Sequence, residues 1–235
     1  MGCADIILGN SEKYNLLEYI NNKKEYNETY NISNEKNFVP AVSLGDRTRS
    51  FLKIQDGCDY FCAYCTIPYA RGRSRSAKII DVINLIKTAS KTGVKEIVLT
   101  GVNVGDFGKN NAESFYELLL NIEKNKYVDR IRISSIEPDL LHTEIIDFIA
   151  NSEIIAPHFH ISLQSGSDVI LKTMGRKYDT NLFKESVNLI KQRIPDAFIA
   201  ADVITGFPGE TEEEFYITKK FIESLPLAEL HVFTY

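Results

Sequence analysis

From residue 49 onward, short apolar runs alternate with longer segments in which apolar residues recur every three or four positions. The short runs predict buried β-strands, and the longer segments predict amphipathic helices. The predicted strands cover residues 50–55, 96–100, 130–135, 158–163, 198–204 and 230–234. Strands that alternate with helices through short loops are typical of a parallel sheet with crossover helices. The pattern therefore predicts an α/β fold, a partial (β/α)6 barrel whose chemistry lies at the carboxyl ends of the strands.

The predicted helices each have an apolar face. Their apolar positions are Ile79, Ile83 and Ile86; Phe115, Leu118, Leu119 and Ile122; Ile145, Phe148 and Ile149; Leu182, Phe183, Val187 and Ile190; and Phe215, Phe221, Ile222 and Leu225. Thr211 stands three residues before Glu214, which is the spacing of a capping box, and this predicts where the last helix begins.

The first twenty residues have a different character. A strand-like run at 5–8 is followed by a turn and by a helix with Leu16, Leu17 and Ile20 on one face, Ser11 being its predicted N-cap. This segment is too short for a domain, so we interpret it as the last strand and helix of an α/β unit. Polar residues dominate the region that follows, and the predicted organisation is a remnant at 1–20, a linker at 21–46 and a core domain at 47–235.

Composition narrows the class of protein but not its substrate. The chain has 235 residues, of which 44% are hydrophobic and 25% charged, and this is enough to bury the core of one large domain. The formal net charge of -5 excludes a global basic signature, so a nucleic-acid partner requires a local basic patch. Clustered thiols without a signal peptide or a long apolar run predict a reducing, cytoplasmic location and no membrane insertion.

Three of the four cysteines, Cys58, Cys62 and Cys65, form a C-x3-C-x2-C loop after the first predicted strand. Thiolates this close in sequence predict a shared metal centre, either zinc or an iron–sulfur cluster. A closed zinc site needs a fourth ligand, but Cys3 lies far upstream and the nearest histidine is His142. A [4Fe–4S] cluster on three cysteines leaves one iron open to a small molecule. We favour the iron–sulfur centre, and a non-catalytic zinc-binding module is the alternative.

Polar or glycine residues follow the predicted strands. Gly101 and Asn103 follow the second strand, Ser135 and Glu137 the third, and Gln164 the fourth. Because the carboxyl ends of parallel strands share one edge, these residues are expected to line one cavity. Each also has a local explanation, such as turn formation at glycine or the start of a helix after Glu137.

The C-x3-C-x2-C spacing, with Tyr64 just before the third cysteine, resembles the iron–sulfur loop of the radical S-adenosylmethionine superfamily. The segments at 160–167, 174–178 and 202–211 look like those of its methylthiotransferase branch, and the resemblance covers residues 47–235. The segments at 53–58 and 71–76 are most similar to the subgroup that modifies threonylcarbamoyladenosine beside the tRNA anticodon. The alternative functions are those of the sister groups, which act on isopentenyladenosine in tRNA or on a ribosomal protein.

The resemblance implies a transferase that uses a [4Fe–4S] cluster on Cys58, Cys62 and Cys65. The open iron would bind S-adenosylmethionine, and an electron from the cluster would cleave it to a deoxyadenosyl radical. The other implied roles place Tyr64 beside the adenine, Gly101 and Asn103 at the methionine amino end, Ser135 and Glu137 at the ribose, and Gln164, Arg176 and Asp202 as residues that order the cavity.

The resemblance also implies partners. Arg71 and Arg73, with Arg75 and Lys78, are expected to contact tRNA phosphates, although a solvated basic turn is the alternative. The family carries a second cluster on an amino-terminal domain and an RNA-binding β-barrel at the carboxyl end, so we expect this chain to be a fragment in which Cys3 has no role. A reductant such as flavodoxin or ferredoxin and a monomeric state complete these expectations.

Overall fold

The computed structural model describes residues 6–10, 12–22, 32, 35–43 and 48–235. Its strands are β1 (Ala41–Val42), β2 (Arg49–Lys53), β3 (Gln55–Asp56), β4 (Arg75–Ser76), β5 (Glu96–Thr100), β6 (Arg130–Ile133), β7 (His158–Gln164), β8 (Phe198–Thr205) and β9 (Glu229–Thr234). Its α-helices are α1 (Leu16–Asn22), α2 (Ile67–Arg71), α3 (Ile79–Ser90), α4 (Phe115–Asn125), α5 (Thr143–Asn151), α6 (Asp168–Thr173), α7 (Thr180–Arg193) and α8 (Glu212–Glu223).

Six parallel strands form the predicted partial barrel. β2 pairs with β5 and β5 with β6, while β7 pairs with β8 and β8 with β9, all in parallel. Parallel bridges from Ile131 to Ile155 and from Ile136 to Ile161 connect the two groups of strands. The order is therefore β2-β5-β6-β7-β8-β9, which confirms the (β/α)6 prediction, and β1 adds an antiparallel strand beside β2.

The main core lies between the outer face of these strands and the helices. Ile97 and Leu99 on β5 are fully buried, and they share one apolar core with Ile86 of α3 and Leu118 of α4. Because side chains alternate across a strand, Val98 and the other intervening residues face the opposite side, which we call the inner face of the barrel. The carboxyl ends of the strands form its mouth.

Most predicted elements are confirmed, with shifts of one or two residues at several ends. The first predicted strand, 50–55, is wrong at its carboxyl end, because β2 stops at Lys53 and β3 pairs with β4 instead of continuing the sheet. The predicted cap of α8 is confirmed in part. Thr211 accepts a hydrogen bond from the backbone of Glu214, whereas the Glu214 carboxylate accepts one from Ser167.

The amino-terminal prediction is confirmed for the helix only. α1 follows a 3-10 turn at Glu12–Asn15, but residues 6–8 form no strand. Leu16, Leu17 and Ile20 are 45%, 75% and 50% exposed, so the predicted apolar face is not buried against the described residues. Cys3 and Ser11 lie outside those residues. Throughout the described ranges, no helix is both long and apolar enough to cross a membrane.

Candidate active site

A buried carboxylate ties together the two ends of the cysteine loop. Asp56 lies just before the loop, and its carboxylate is 2.8 Å from Nζ of Lys53, 3.2 Å from Nη1 of Arg71 and 3.4 Å from Nη2 of Arg75. Burial by itself raises the pKa of Asp56, but the hydrogen bond from Lys53 and the surrounding cations leave it below its ordinary value. Since Arg71 and Arg75 follow the last cysteine, these ion pairs close the loop at its base.

A buried amide connects this loop with the loop after β5. Gln55 is fully buried, and its Nε2 donates to the Gly57 carbonyl at 2.8 Å and to Ser74 Oγ at 3.0 Å. Its Oε1 accepts from the backbone nitrogens of Val102 at 2.9 Å and Asn103 at 2.8 Å. One side chain therefore fixes the position of both loops.

The three cysteines lie together at the mouth of the barrel as free thiols. Cys58 and Cys62 are buried with Tyr60, and Cys65 packs against them from a half-buried position. Burial raises the pKa of Cys58 to about 11, and it raises that of Cys62 as well, although Arg176 opposes the shift. A buried thiol of this kind becomes a thiolate when a metal supplies positive charge, so the site suits a metal cofactor.

The spacing of the thiols favours a cluster over a single zinc ion. Tetrahedral zinc with Zn–S bonds of about 2.3 Å requires sulfur atoms about 3.8 Å apart. Among the described residues, no close group of three ligand atoms that could hold a single ion contains any of these cysteines. A cuboidal cluster is larger than one ion and holds its thiolates farther apart, so these cysteines fit an iron–sulfur cluster.

Arg176 connects Cys62 with two of the other predicted site residues. Its guanidinium side chain is 2% exposed; Nη1 lies 3.1 Å from Cys62 Sγ and 3.0 Å from the Tyr64 hydroxyl, and Nη2 forms an ion pair with Glu137. Burial raises the pKa of Glu137 to about 7, while Arg176 favours the charged carboxylate. The structure therefore brings Cys62, Tyr64, Glu137 and Arg176 into one contiguous group.

Gly101 and Asn103 lie beside the start of the cysteine loop through their contacts with Gln55. A Cβ at Gly101 would come within 3.0 Å of the Gln55 Cβ, so the glycine is explained by close packing against Gln55. Asn103 is 2% exposed, yet both polar atoms of its side chain lack a hydrogen-bond partner in the structure. Because buried amides are almost always paired, Asn103 has the unused hydrogen-bonding capacity expected at a ligand site.

Ser135 and Asp202 belong to a second polar group on the inner face. Ser135 Oγ is 3.2 Å from Nδ1 of His160, whose Nε2 is 2.7 Å from Oδ1 of Asp202. His231 Nδ1 lies 3.2 Å from the same Asp202 oxygen. Neither histidine is among the site residues predicted from the sequence. The sequence does carry a pattern that could have found them: polar residues stand at alternate positions of the predicted strands. This pattern indicates that the inner face of the barrel is not filled by apolar side chains.

Gln164 lies at the carboxyl end of β7, where the pairing with β8 shifts between Ser162 and Gln164. Its φ of 65° is unusual for a residue other than glycine. Such local irregularity is common beside functional sites, where it redirects a side chain.

The three arginines after the cysteine loop have different environments. Arg71 and Arg73 side chains are 45% and 58% exposed, although Arg71 also pairs with Asp56 and Arg73 lies over the Phe61 ring at 4.5 Å. Arg75 is 7% exposed and donates to the carbonyls of Asn37 and Arg71. The expected phosphate contact is therefore wrong for Arg75, because its guanidinium is used inside the protein.

Comparisons with known proteins place this geometry in context. The family model described as the radical SAM superfamily matches residues 52–222. The threonylcarbamoyladenosine tRNA methylthiotransferase MtaB of Bacillus subtilis (strain 168) is 42% identical over 99% of this chain and 53% of its own length. The tRNA-2-methylthio-N(6)-dimethylallyladenosine synthase of Clostridium tetani (strain Massachusetts / E88) is 36% identical over 99% of this chain and 52% of its own length. The chain thus spans about half the length of these relatives.

Solved structures share the fold at low sequence identity. The radical S-adenosylmethionine methyltransferase TsrM from Kitasatospora setae, with cobalamin and a [4Fe–4S] cluster bound, has a TM-score of 0.67 and 17% identity and covers 82% of this chain and 37% of its own. Coproporphyrinogen III oxidase HemN from Escherichia coli has a TM-score of 0.57 and 16% identity over 78% of this chain and 43% of its own. At these identities the likeness supports the fold alone.

Proposed function

Because this chain belongs to the radical SAM superfamily, we propose that it is the catalytic barrel of a tRNA methylthiotransferase acting on threonylcarbamoyladenosine. The observation that carries the proposal is the group of three thiols at the barrel mouth beside the buried Arg176. When bound, a [4Fe–4S] cluster would supply the electron that cleaves S-adenosylmethionine to a deoxyadenosyl radical.

Cys58, Cys62 and Cys65 would hold the cluster by three of its irons and leave the fourth for S-adenosylmethionine. Arg176 places a permanent positive charge 3.1 Å from Cys62 Sγ, where it offsets part of the thiolate charge and donates a hydrogen bond to sulfur. Such contacts to sulfur tune the reduction potential of iron–sulfur proteins.

The neighbouring polar groups would orient S-adenosylmethionine. The Asn103 amide carries unused donors and an unused acceptor, which suit the amino and carboxylate groups of the methionine part. Glu137 presents a carboxylate that can accept hydrogen bonds from ribose hydroxyls while Arg176 holds it in place. Gln164 and Asp202 would order the rest of the cavity. Ser135 would contribute indirectly, because its hydroxyl holds His160 in place.

An apolar wall lies beside these groups. The Tyr64 ring contacts Phe207 at a centroid distance of 6.4 Å, and Tyr64 packs against a cluster of Ile170, Met174, Ile204 and Phe207. This surface suits the flat adenine ring and keeps water from the reacting atoms, which a carbon-centred radical requires.

The substrate and the partners of the protein follow from the same proposal. Arg71 and Arg73 would contact phosphates of the anticodon loop beside the mouth. Sulfur delivery would need a second iron–sulfur cluster, since the three described thiols are used by the first. We further propose that a reductant such as flavodoxin or ferredoxin supplies the electron, and that the protein is a cytoplasmic monomer. The proposed domain organisation is a remnant at 1–20, a linker at 21–46 and a core domain at 47–235.

Hydrogen abstraction from the substrate tests this function. Anticodon stem-loop RNA would carry deuterium at C2 of the modified adenine, and mass spectrometry would follow deuterium into 5′-deoxyadenosine formed by the reduced, cluster-loaded chain. Transfer from threonylcarbamoyladenosine RNA at least tenfold above that from dimethylallyladenosine RNA supports the proposal. Preferential deuterium transfer from the dimethylallyladenosine RNA would instead support the activity named for the Clostridium tetani relative. Transfer from neither RNA would overturn the proposal that the substrate is tRNA.

A further inference from the structure

Two histidines and an aspartate converge on the inner face of the barrel. His160, Asp202 and His231 lie on the adjacent strands β7, β8 and β9, and Asp202 pairs directly with His231 in the sheet register. Their ligand atoms all lie within 4.8 Å of one another, and no other three histidine, cysteine or acidic side chains in the described ranges meet this condition. Three parallel strands thus present three ligand atoms to one point.

The two distances from Asp202 to the histidines are close to those of a metal site. Asp202 Oδ1 is 2.7 Å from His160 Nε2 and 3.2 Å from His231 Nδ1. A metal ion with bonds of about 2.1 Å places neighbouring ligand atoms about 3.0–3.4 Å apart, depending on whether its geometry is octahedral or tetrahedral. The His160 and His231 nitrogens lie within 4.8 Å of each other, so the two rings would move closer together when an ion binds. The two imidazole rings are inclined by 77°, so they approach the point from different directions.

The second ring nitrogen of each histidine also has a polar partner. The far nitrogen of His160, Nδ1, is 3.2 Å from Ser135 Oγ, and the far nitrogen of His231, Nε2, is 3.5 Å from Glu229 Oε1. Histidines that bind metals characteristically use the second ring nitrogen in this way, which fixes the tautomer and the ring orientation. The arrangement therefore has the outer partners of a metal site as well as its ligands.

The local charge favours a dication. Asp202 and Glu229 supply two carboxylates around two imidazoles, while the guanidinium of Arg132 on β6 lies 3.2 Å from Glu96 and is already paired there. The Asp202 side chain is 16% exposed, and those of His160 and His231 are 19% and 39% exposed. Partial burial raises the strength of a metal–carboxylate interaction, and the remaining exposure gives an ion a path of entry.

We propose that His160, Asp202 and His231 bind one divalent transition-metal ion, such as Zn²⁺ or Fe²⁺, in a site separate from the three cysteines. Two histidines and one carboxylate leave coordination positions open, so the ion presents a Lewis acid to the inner face of the barrel. Oxygen-containing ligands are the class that such a position accepts. The inference rests on these side chains alone and does not depend on the proposed tRNA substrate.

Equilibrium dialysis of the cluster-loaded chain against Zn²⁺ tests the site. Elemental analysis should find one zinc bound per chain while the iron content stays unchanged, because the cluster occupies the thiols. His231→Asn should weaken zinc binding at least tenfold. His142→Asn, which alters an exposed histidine at the start of α5, should leave zinc binding unchanged.

A second measurement does not depend on how the variants fold. Zinc K-edge X-ray absorption of the unaltered, loaded chain should show nitrogen and oxygen ligands without sulfur. The proposal is overturned if the chain binds no zinc, if His231→Asn binds it as tightly as the unaltered chain, or if sulfur is found in the zinc shell.

Discussion

The side-chain oxygen of Gln55 lies 2.8 Å from the backbone nitrogen of Asn103. Because the same amide donates to the Gly57 carbonyl and to Ser74, it joins the cysteine loop to the loop that would receive the methionine part of the cofactor. The relative position of the two loops thus depends on one fully buried side chain. Gln55 is therefore a positioning residue: it holds the cysteine loop and the Asn103 backbone in one arrangement.

Gln55→Leu should destabilise the fold strongly. The substitution keeps the side-chain size but leaves several buried backbone groups without partners, at about 1–3 kcal/mol for each buried group. We expect the free energy of unfolding to fall by roughly 3 kcal/mol or more in a urea titration. Gln192→Leu, at an exposed position of α7, is the matched control and should change it by less than about 0.5 kcal/mol. Equal effects of the two substitutions would contradict the role given to Gln55.

Single replacement of Cys58, Cys62 or Cys65 by alanine should prevent stable cluster formation. Each change removes one of only three protein ligands, so iron after anaerobic reconstitution should fall from about four to below about one per chain. Cys3→Ala should retain the full iron content, since the sequence gives this cysteine no role. Full iron content in any of the three alanine variants would show that the cysteine in question is not a ligand.

Arg73→Ala and Arg75→Ala should separate RNA binding from stability. Arg73 is mostly exposed, so its loss should lower the slope of log K against log salt for tRNA binding by about 1 without unfolding the protein. Arg75 is buried against Asp56, which keeps its ion pairs with Lys53 and Arg71 when Arg75 is removed. The loss of Arg75 should still cost about 1–3 kcal/mol of stability for each buried acceptor left without a donor.

Arg130→Ala is the control for the RNA measurement, since Arg130 lies at the opposite end of the barrel with a side chain that is 60% exposed. It should leave the salt slope unchanged. The phosphate contact proposed for Arg73 is wrong if both variants reduce the slope equally.

Asp106→Asn should alter the pH dependence of stability. Asp106 is 5% exposed, and burial raises its pKa, although Lys109 at 3.7 Å opposes the shift. The folded protein keeps this proton to a higher pH than the unfolded chain, so the stabilising contribution is present below about pH 4 and is lost as the pH rises through the folded pKa.

Asparagine does not titrate in this range, so the stability of Asp106→Asn relative to the unaltered chain should increase from pH 4 to pH 8. Urea midpoints at several pH values measure the difference. Lys109→Met should enlarge the pH dependence, because it removes the opposing cation. Parallel pH profiles for the unaltered chain and Asp106→Asn would show that burial does not shift this carboxyl.

Local sequence patterns predicted the barrel well, because its strands are short apolar runs that end at glycine or polar loop residues. β5 was predicted at its observed limits, since every residue from Glu96 to Leu99 is buried and a glycine loop follows. The first strand was predicted to continue through residue 55. The partner of β3 is β4, about twenty residues further on, and local periodicity carries no information about such a pairing.

The candidate site also has features that the local sequence predicts and features that depend on the folded structure. Cysteine spacing predicted that the three thiols lie together, because all three are in one loop. Arg71, Arg73 and Arg75 look alike in sequence, and only the packing of Arg75 against Asp56 and the Asn37 carbonyl distinguishes it. His160 and His231 are 42 and 29 residues from Asp202, and their convergence depends on the barrel being formed.

The central claim is that three cysteines hold a cluster whose open iron binds S-adenosylmethionine. Electron paramagnetic resonance of the anaerobically reconstituted and reduced chain, recorded with and without S-adenosylmethionine, tests it most directly. We predict one reduced [4Fe–4S] signal whose g values shift when S-adenosylmethionine is added. A chain that forms no cluster, or a cluster signal that S-adenosylmethionine leaves unchanged, would contradict the account.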